Sequence, residues 1–153
     1  MNTINYNSHY IDNDDIKAVI TSLKSNKITQ GEKNKQFEEK LKFYFKSKYC
    51  SVVSSGTAAL HLCSLVLGFK KNDIILSSPI TFLAGPNSVN YCNATIDFVD
   101  INDQTYNIDV EKLEIKLKIY KKNKKKIKEK KENNYWGQPC NWKKLKSLSK
   151  KYK

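Results

Sequence analysis

Apolar residues recur at the spacing of an amphipathic helix in the first part of the chain. After Asp12, a good N-cap with a second acid three residues later at Asp15, apolar side chains follow at i, i+3, i+4 and i+7. A polar stretch over residues 25–31 ends this helix, and another apolar face predicts a second one. The apolar positions of the two predicted helices are Ile16, Val19, Ile20 and Leu23, then Phe37, Leu41, Tyr44 and Phe45.

The middle of the chain alternates between strand-like and helix-like segments. Short apolar runs typical of buried strands are followed by helical patterns, with Gly68 at the C′ position of one helix and Asp109 as the N-cap of another. This alternation predicts βαβ units, and hence an α/β fold with a mostly parallel sheet. The predicted strands cover 49–54, 73–76 and 95–100, and the predicted helices cover 57–67, 82–93 and 109–117.

A lysine-rich tract over residues 118–134 interrupts the alternation. Its first part, 118–131, contains nine Lys and a single acid, Glu129. Because so many charges cannot enter a buried strand, the tract is predicted to be a solvated helical extension or disordered. A short helix with Asn141 as its N-cap is predicted after it. The residues of that helix expected to face inward are Trp142, Leu145 and Leu148.

The net charge of +13 raises the question of nucleic-acid binding. All 28 basic residues are Lys, so the Arg forks that read bases and clamp phosphates are absent. Residues 118–131 hold +8 of the charge and leave an ordinary +5 for the rest of the chain. Nucleic acid is therefore not expected as a partner. The alternative is a non-catalytic fragment or basic module that binds nucleic acid non-specifically through residues 118–131.

The cysteines and the apolar runs indicate a cytoplasmic protein. Cys50, Cys63, Cys92 and Cys140 are widely spaced and form no Cys-x-x-Cys pair, so no metal site is expected. They are predicted to be reduced thiols in the core. The N-terminus lacks a signal-peptide pattern, and no apolar run approaches the ~20 residues of a membrane span.

The strongest chemical signal is the sequence Ser-Ser-Gly-Thr-Ala-Ala at 54–59, at a predicted strand-to-helix junction. Free N–H groups and the positive end of the helix dipole make a helix N-terminus suitable for a phosphate. Thr57 adds a hydroxyl, and Gly56 allows close approach to the backbone. The alternative is a plain turn, in which Gly56 only shapes the turn and Thr57 only caps the helix.

Phe82 follows the next predicted strand, at the edge of the sheet where α/β proteins bind ligands. An aromatic ring there can lie flat against a planar cofactor; the alternative places Phe82 in the core or at a helix start. Asp97 and Asp100 flank a strand and are interpreted as solvated acids rather than catalytic groups. His61, inside an apolar helix, is interpreted as a core or interface histidine rather than a ligand.

Several segments of the chain, in order, resemble one enzyme family. They lie at 27–31, 37–39, 54–62, 78–82, 98–101, 107–109, 137–142 and 149–152. Together they resemble the DegT/DnrJ/EryC1/StrS aminotransferases, and the resemblance covers the chain except residues 119–134. The sequences Ile-Thr-Gln-Gly at 28–31 and Ser-Pro-Ile-Thr-Phe at 78–82 are similar to those of the branch that serves pseudaminic acid synthesis.

The resemblance implies a fold and a set of binding residues. The fold is a partial aspartate-aminotransferase-like large domain of fold type I, with three layers and a mostly parallel sheet. Gly56, Thr57 and Ala58 would hold the phosphate of pyridoxal 5′-phosphate (PLP), and Phe82 would stack on its ring. The residues that would border the nucleotide-sugar pocket are Thr29, Gln30, Gly31, Tyr6 and Asn87.

The resemblance also implies a reaction and its partners. Family members use PLP as an electron sink and transfer an amino group, usually from glutamate, to a nucleotide-linked keto-sugar. The expected substrate is a UDP-linked 4-keto-6-deoxy sugar, used for surface polysaccharide or pseudaminic-acid-type sugars. The expected partners are this nucleotide sugar, an amino-acid donor and a second copy in a homodimer.

Two catalytic groups of the family are expected beyond Lys153: the Asp that pairs with the pyridine nitrogen and the Schiff-base Lys. No catalytic residue is therefore assigned within the chain, which is expected to be inactive alone. Residues 1–33 are predicted to form an N-terminal helix and substrate-side loop, and 34–153 an incomplete large domain without the small C-terminal domain. Residues 119–134 replace an apolar strand, and a disturbed reading frame is the hypothesis that the downstream nucleotide sequence would test.

Overall fold

The computed structural model describes residues 8–123, 127–131 and 137–152. The chain forms two compact units, Met1–Val52 and Val53–Lys153. The smaller unit is helical and the larger one contains both helices and strands. The predicted division of the family's domains after residue 33 stays a prediction.

The smaller unit contains the two predicted helices, α1 (Asn13–Leu23) and α2 (Glu32–Phe45). The Asp12 side chain accepts the N–H groups of Asp14 and Asp15, and the Asp15 side chain accepts the N–H of Asp12. This reciprocal capping box explains why α1 begins where the sequence predicts. Neither helix has a buried residue, and the apolar positions of α1 and α2 are therefore all at least partly exposed.

The larger unit alternates helices and strands around a three-stranded sheet. The strand β1 lies between β2 and β3, and both neighbours run parallel to it. The predicted caps Asp109 and Asn141 begin their helices, and Gly68 has the predicted left-handed conformation after α3. The elements are α3 (Gly56–Val66), β1 (Ile74–Ser77), α4 (Ala84–Asn90), β2 (Thr95–Phe98), α5 (Val110–Lys122), β3 (Ile127–Lys131) and α6 (Trp142–Lys151).

Helices cover both faces of this sheet. Ile75 and Leu76 are adjacent on β1 and fully buried, and successive residues of a strand point to opposite faces. Ile75 belongs to a core cluster with Val89 of α4, whereas Leu76 belongs to one with Leu113 of α5 and Leu148 of α6. The prediction of a three-layer α/β fold with a parallel sheet is confirmed.

The strand predicted over residues 49–54 is wrong, since the structure has no strand there. The backbone N–H of Val52 donates to the side chain of Glu38 at 2.9 Å instead of to a sheet. Whether an apolar run joins a sheet depends on its neighbours in the folded chain, and periodicity alone does not reveal this.

The lysine-rich tract is partly a strand, which corrects the prediction of a wholly helical or disordered segment. The predicted helical extension is present as far as Lys122, but Ile127–Lys131 then forms β3. Within the described residues β3 is an edge strand, which needs backbone hydrogen bonds along one side only. Ile127 packs against the core and Lys128 is exposed, so the strand needs little apolar character.

All four cysteines are free thiols, as predicted. Cys92 and Cys140 are buried in the core, but Cys50 is half-buried and Cys63 is exposed. The predicted core placement is therefore wrong for Cys63 and only partial for Cys50.

No helix in the part of the chain that the structure describes is long and apolar enough to cross a membrane.

A cluster around Asp97 fastens β2 to α5. Lys116 Nζ lies 2.7 Å from Asp97 Oδ2 and donates to the carbonyl of Phe98, while Tyr120 Oη donates to Asp97 Oδ2 at 2.6 Å. Partial burial acts to raise the pKa of Asp97, but the hydrogen bonds from Lys116 and Tyr120 outweigh it and hold that pKa below its usual value. The hydrogen bond to Asp97 raises the pKa of Tyr120 to about 12.

We expect Tyr120→Phe to lower the free energy of unfolding by about 1–2 kcal/mol at neutral pH, because a hydrogen bond to a partly exposed carboxylate is lost. The lowered pKa of Asp97 contributes stability that is present above about pH 4 and lost as the pH falls through the folded pKa. The raised pKa of Tyr120 contributes stability that is present below pH 10 and lost as the pH rises to about 12. Urea titrations of both proteins over the acid and alkaline ranges measure this, and a difference independent of pH would contradict it.

Candidate functional site

Helix α3 begins at the segment predicted to bind phosphate. Ser55 is its N-cap: its Oγ accepts the N–H of Ala58 at 3.1 Å, and its carbonyl accepts the N–H of Ala59. Nothing among the described residues accepts the N–H groups of Gly56 and Thr57. These two donors lie at the positive end of an 11-residue helix, where an anion is bound most favourably.

The space beside Gly56 is open. A Cβ built on Gly56 would meet no heavy atom within 4 Å, and the φ of Gly56 is not among the positive values. Neither the turn nor the packing therefore requires a glycine at this position. The plain-turn alternative thus gives no role to the missing side chain of Gly56, and the phosphate site stays a prediction.

Phe82 lies in the connection between β1 and α4, after the carboxyl end of the central strand. Its side chain is 80% exposed, so a core position is wrong, whereas the other alternative, a position at a helix start, agrees with its place two residues before α4. The connection is shaped by a hydrogen bond from the N–H of Ile80 to Ser78 Oγ at 3.3 Å and by one from Gly85 N–H to the carbonyl of Phe82 at 3.1 Å. The aromatic face is available to a planar ligand.

The helix that carries Thr57 and the helix that follows Phe82 pack directly against each other. Ser64 Oγ of α3 lies 3.1 Å from Ser88 Oγ of α4, and the rings of His61 and Tyr91 meet edge to face with centroids 5.3 Å apart. His61 is half-buried in this contact, in line with its interpretation as a packing histidine. The predicted residue Asn87 lies on α4 and is half-buried.

The predicted substrate-side residues Thr29, Gln30 and Gly31 lie in the smaller unit, in the turn between α1 and α2. Thr29 and Gln30 are exposed, and Gln30 has a φ of 50°. A Cβ on Gly31 would lie 2.7 Å from the carbonyl oxygen of Lys27, so the turn itself requires this glycine. Tyr6 lies outside the described residues.

An apolar cleft of about 610 Å³ lies beside this turn, between the second half of α1 and the start of α2. A cleft of this volume is large enough for a small organic molecule. Gly31 lines it, but Thr29 and Gln30 do not. Its apolar lining comes mainly from Val19, Leu23 and Ile28.

The acids beside β2 are paired with α5. Asp100 Oδ2 accepts Lys112 Nζ at 2.7 Å, and Asp97 is held by Lys116 and Tyr120 as described above. The hydrogen bond from Lys112 lowers the pKa of Asp100 and keeps it ionised. Structural ion pairs therefore account for both acids, which corrects their interpretation as solvated: Asp100 is exposed but paired, and Asp97 is paired and partly buried.

Two features of this region carry no role in the sequence-based interpretation. One is the N-cap Ser55, although a serine directly before a helix is a standard N-cap signal. The contact between Ser64 and Ser88 spans 24 positions in the sequence, and no local pattern reports such a pair.

Comparisons with known proteins place this geometry in a family. Residues 9–153 match the DegT/DnrJ/EryC1/StrS aminotransferase family. The UDP-4-amino-4,6-dideoxy-N-acetyl-beta-L-altrosamine transaminase of Campylobacter jejuni serotype O:23/36 is 40% identical over 114 residues, which are 74% of this chain and 30% of that protein. The chain spans 27% to 30% of the length of the curated relatives that it matches at 38% to 41% identity.

Solved structures agree with the sequence match. Helicobacter pylori PseC, an aminotransferase involved in the biosynthesis of pseudoaminic acid, superposes with a TM-score of 0.79 at 28% identity, over 97% of this chain and 38% of that one. GDP-4-keto-6-deoxy-D-mannose-3-dehydratase of E. coli, solved with bound hydrated PLP, superposes with a TM-score of 0.77 at 29% identity, over 92% of this chain and 36% of that one. The fold is thus that of a partial fold-type-I large domain, and the chain belongs to the DegT/DnrJ/EryC1/StrS aminotransferase family.

Proposed function

We propose that this chain is the N-terminal portion of a PLP-dependent nucleotide-sugar aminotransferase. The proposed substrate of the complete enzyme is a UDP-linked 4-keto-6-deoxy sugar, the proposed amino donor is glutamate, and the proposed assembly is a homodimer. The substrate class is supported by the named activity of the Campylobacter jejuni relative. The proposed pathway is the synthesis of a surface polysaccharide or of pseudaminic-acid-type sugars.

This proposal rests mainly on the arrangement of backbone donors at the start of α3. Gly56 and Thr57 present backbone N–H groups without an acceptor among the described residues, and open space adjoins Gly56. These groups would donate hydrogen bonds to the cofactor phosphate, with the Thr57 hydroxyl as a third donor. The N–H of Ala58, also predicted to hold the phosphate, donates to Ser55 Oγ instead. Ser55 contributes indirectly, because its bond to the N–H of Ala58 fixes the first turn.

Phe82 would restrict the orientation of the cofactor ring. Its exposed face lies on the connection that follows β1, in the same compact unit as α3. When bound, PLP supplies the electron sink for chemistry at the amino-group carbon. The residues of this chain bind and orient the cofactor. A dehydratase solved with bound PLP shares this part of the fold. The residues of this chain therefore support cofactor binding more directly than they support amino transfer.

The 153-residue chain by itself is proposed to have no transaminase activity. None of its 28 Lys stands in the sequence context that the family gives its Schiff-base Lys. Without a positioned amine as nucleophile, the exchange of amino groups loses its covalent route.

The alternative of a basic module that binds nucleic acid through residues 118–131 keeps the support of that tract's charge, but the absence of Arg removes the bidentate contacts of specific binding. Beside the tract, lysines of α5 and α6 lie within 4 Å of carboxylates, which neutralise part of the positive surface. Only Lys118 of these lies within the tract itself. The lysines in these pairs are Lys112, Lys116, Lys118, Lys144 and Lys151.

Calorimetric titration with pyridoxamine 5′-phosphate (PMP) tests the proposed cofactor site. PMP has no aldehyde and so cannot condense with any of the 28 Lys, as PLP would. We expect PMP to bind at least about tenfold more tightly than pyridoxamine, because charge-assisted hydrogen bonds hold the phosphate. Equal affinities would contradict the site. Formation of 2-oxoglutarate from glutamate by the pure chain, above the rate with free PLP, would contradict the proposed inactivity.

A further inference from the structure

Two fully buried serine hydroxyls join α3 to α4. Ser64 Oγ and Ser88 Oγ lie 3.1 Å apart, and both side chains are 0% exposed. Ser88 Oγ donates to the carbonyl of Gly85 at 2.7 Å, and Ser64 Oγ lies 3.0 Å from the carbonyl of Leu60. Each hydroxyl has a single proton: Ser88 uses its own on Gly85, and Ser64 shares its proton between Ser88 Oγ and the carbonyl of Leu60.

This serine pair connects the two halves of the proposed cofactor site. Gly85 also donates its N–H to the carbonyl of Phe82 at 3.1 Å. Hydrogen bonds therefore run from the backbone of Phe82 through Gly85 and Ser88 to Ser64, on the helix that begins with Gly56. Apolar contacts between helices tolerate sliding, whereas a buried hydrogen bond is directional and costly to break.

We infer that Ser64 and Ser88 are positioning residues, which hold Phe82 at the spacing from Gly56 and Thr57 that lets one ligand contact both. This inference rests on the proposed function of the start of α3. Neither serine contacts the ligand itself, because both are fully buried between the helices. Their effect is transmitted through the first turn of α4, which contains Gly85 and follows Phe82.

Titrations of the 153-residue chain with PMP and with inorganic phosphate test the inference. We expect Ser64→Ala and Ser88→Ala each to weaken PMP binding about tenfold, the equivalent of one buried hydrogen bond. The affinity for inorganic phosphate should stay unchanged, because that ion needs only the start of α3. Both variants should fold, since each remaining hydroxyl keeps a carbonyl acceptor in its own helix. Equal weakening of both ligands would overturn the inference, since general loosening of the fold would then explain the loss.

A double-mutant cycle tests whether the serines act as a pair. The variant with both substitutions should bind PMP about as weakly as either single variant, because either change already removes the shared bond. A loss of about a hundredfold, the product of two independent effects, would overturn the inference. Ser147→Ala, the same change at an exposed position of α6, is the matched control and should bind PMP as the wild type does.

Failure of the proposed function is distinguishable from failure of this inference. If the proposed function is wrong, the wild-type chain should bind PMP no more tightly than pyridoxamine. The inference would then be decided by amide NMR spectra of the free chain. Ser64→Ala should shift the amide signals of Phe82 and Gly85, and Ser88→Ala those of Gly56 and Thr57. Shifts confined to the helix that carries the substitution would overturn the inference.

Discussion

Replacement of Gly56 with Asp is expected to abolish PMP binding while leaving the chain at least as stable as the wild type. The new side chain enters open space, since a Cβ there meets nothing within 4 Å. Replacing a helical glycine and placing an acid in the first turn should each stabilise α3, by about 0.5–1 kcal/mol. The carboxylate would occupy the free N–H groups and repel the phosphate, at a cost of about 4 kcal/mol for charges ~4 Å apart at the surface.

Gly56→Asn is the matched control, because it has the same shape without the charge. We expect Gly56→Asp to weaken PMP binding at least about a hundredfold. Gly56→Asn should bind PMP at least about tenfold more tightly than Gly56→Asp does. Calorimetric titrations and thermal melts of the two variants measure both effects. A drop in melting temperature for Gly56→Asp would show that the space is not open. Unchanged PMP affinity would show that the phosphate is held elsewhere.

The helix starts could be predicted from the sequence because their signals are local. Asp12, Asp109 and Asn141 each accept backbone N–H groups two or three residues away, so cap and helix lie within one short segment. Gly68 is equally local, because its left-handed conformation follows from the end of α3 itself. The order of helices and parallel strands follows from these starts and the apolar runs between them.

The identity of the strands depended on distant neighbours and was harder to predict. Residues 49–54 form no strand, whereas the lysine-rich Ile127–Lys131 pairs with one edge of β1. Whether a segment pairs is decided by which edge lies beside it in the folded unit, and composition carries little information about that. The charge of β3 is compatible with an edge position and excluded only from a central one.

The candidate site was predictable to the extent that it lies on one short motif. Gly56, Thr57 and Ala58 lie at the first turn of α3 as the motif indicated, and the space beside Gly56 is open although the turn does not need a glycine. Gly31 is the contrary case, because the carbonyl of Lys27 already excludes a side chain there. The link from α3 to Phe82 passes through side chains distant in the sequence, and only the structure brings them together.

The second large effect is expected in the core between β1 and α5. Leu113 is fully buried and belongs to the cluster of Leu76 and Leu148, so Leu113→Ala would leave a cavity. We expect a loss of about 3–5 kcal/mol in the free energy of unfolding, a large part of the roughly 5–15 kcal/mol of a small domain. Ile115→Ala on the same helix removes a side chain that is 57% exposed, and should cost less than about 1 kcal/mol.

Urea unfolding of the two variants measures this difference, and PMP affinity shows whether it spreads to the cofactor site. Leu76 packs toward α5 and α6, whereas its neighbour Ile75 packs toward α4 on the opposite face of the sheet. The molecules of Leu113→Ala that remain folded should therefore bind PMP as the wild type does, and excess PMP should raise their melting temperature. Equal stabilities of the two alanine variants would contradict the packing of α5 against β1. A weakened PMP affinity in the folded fraction would show instead that the two faces of β1 are coupled.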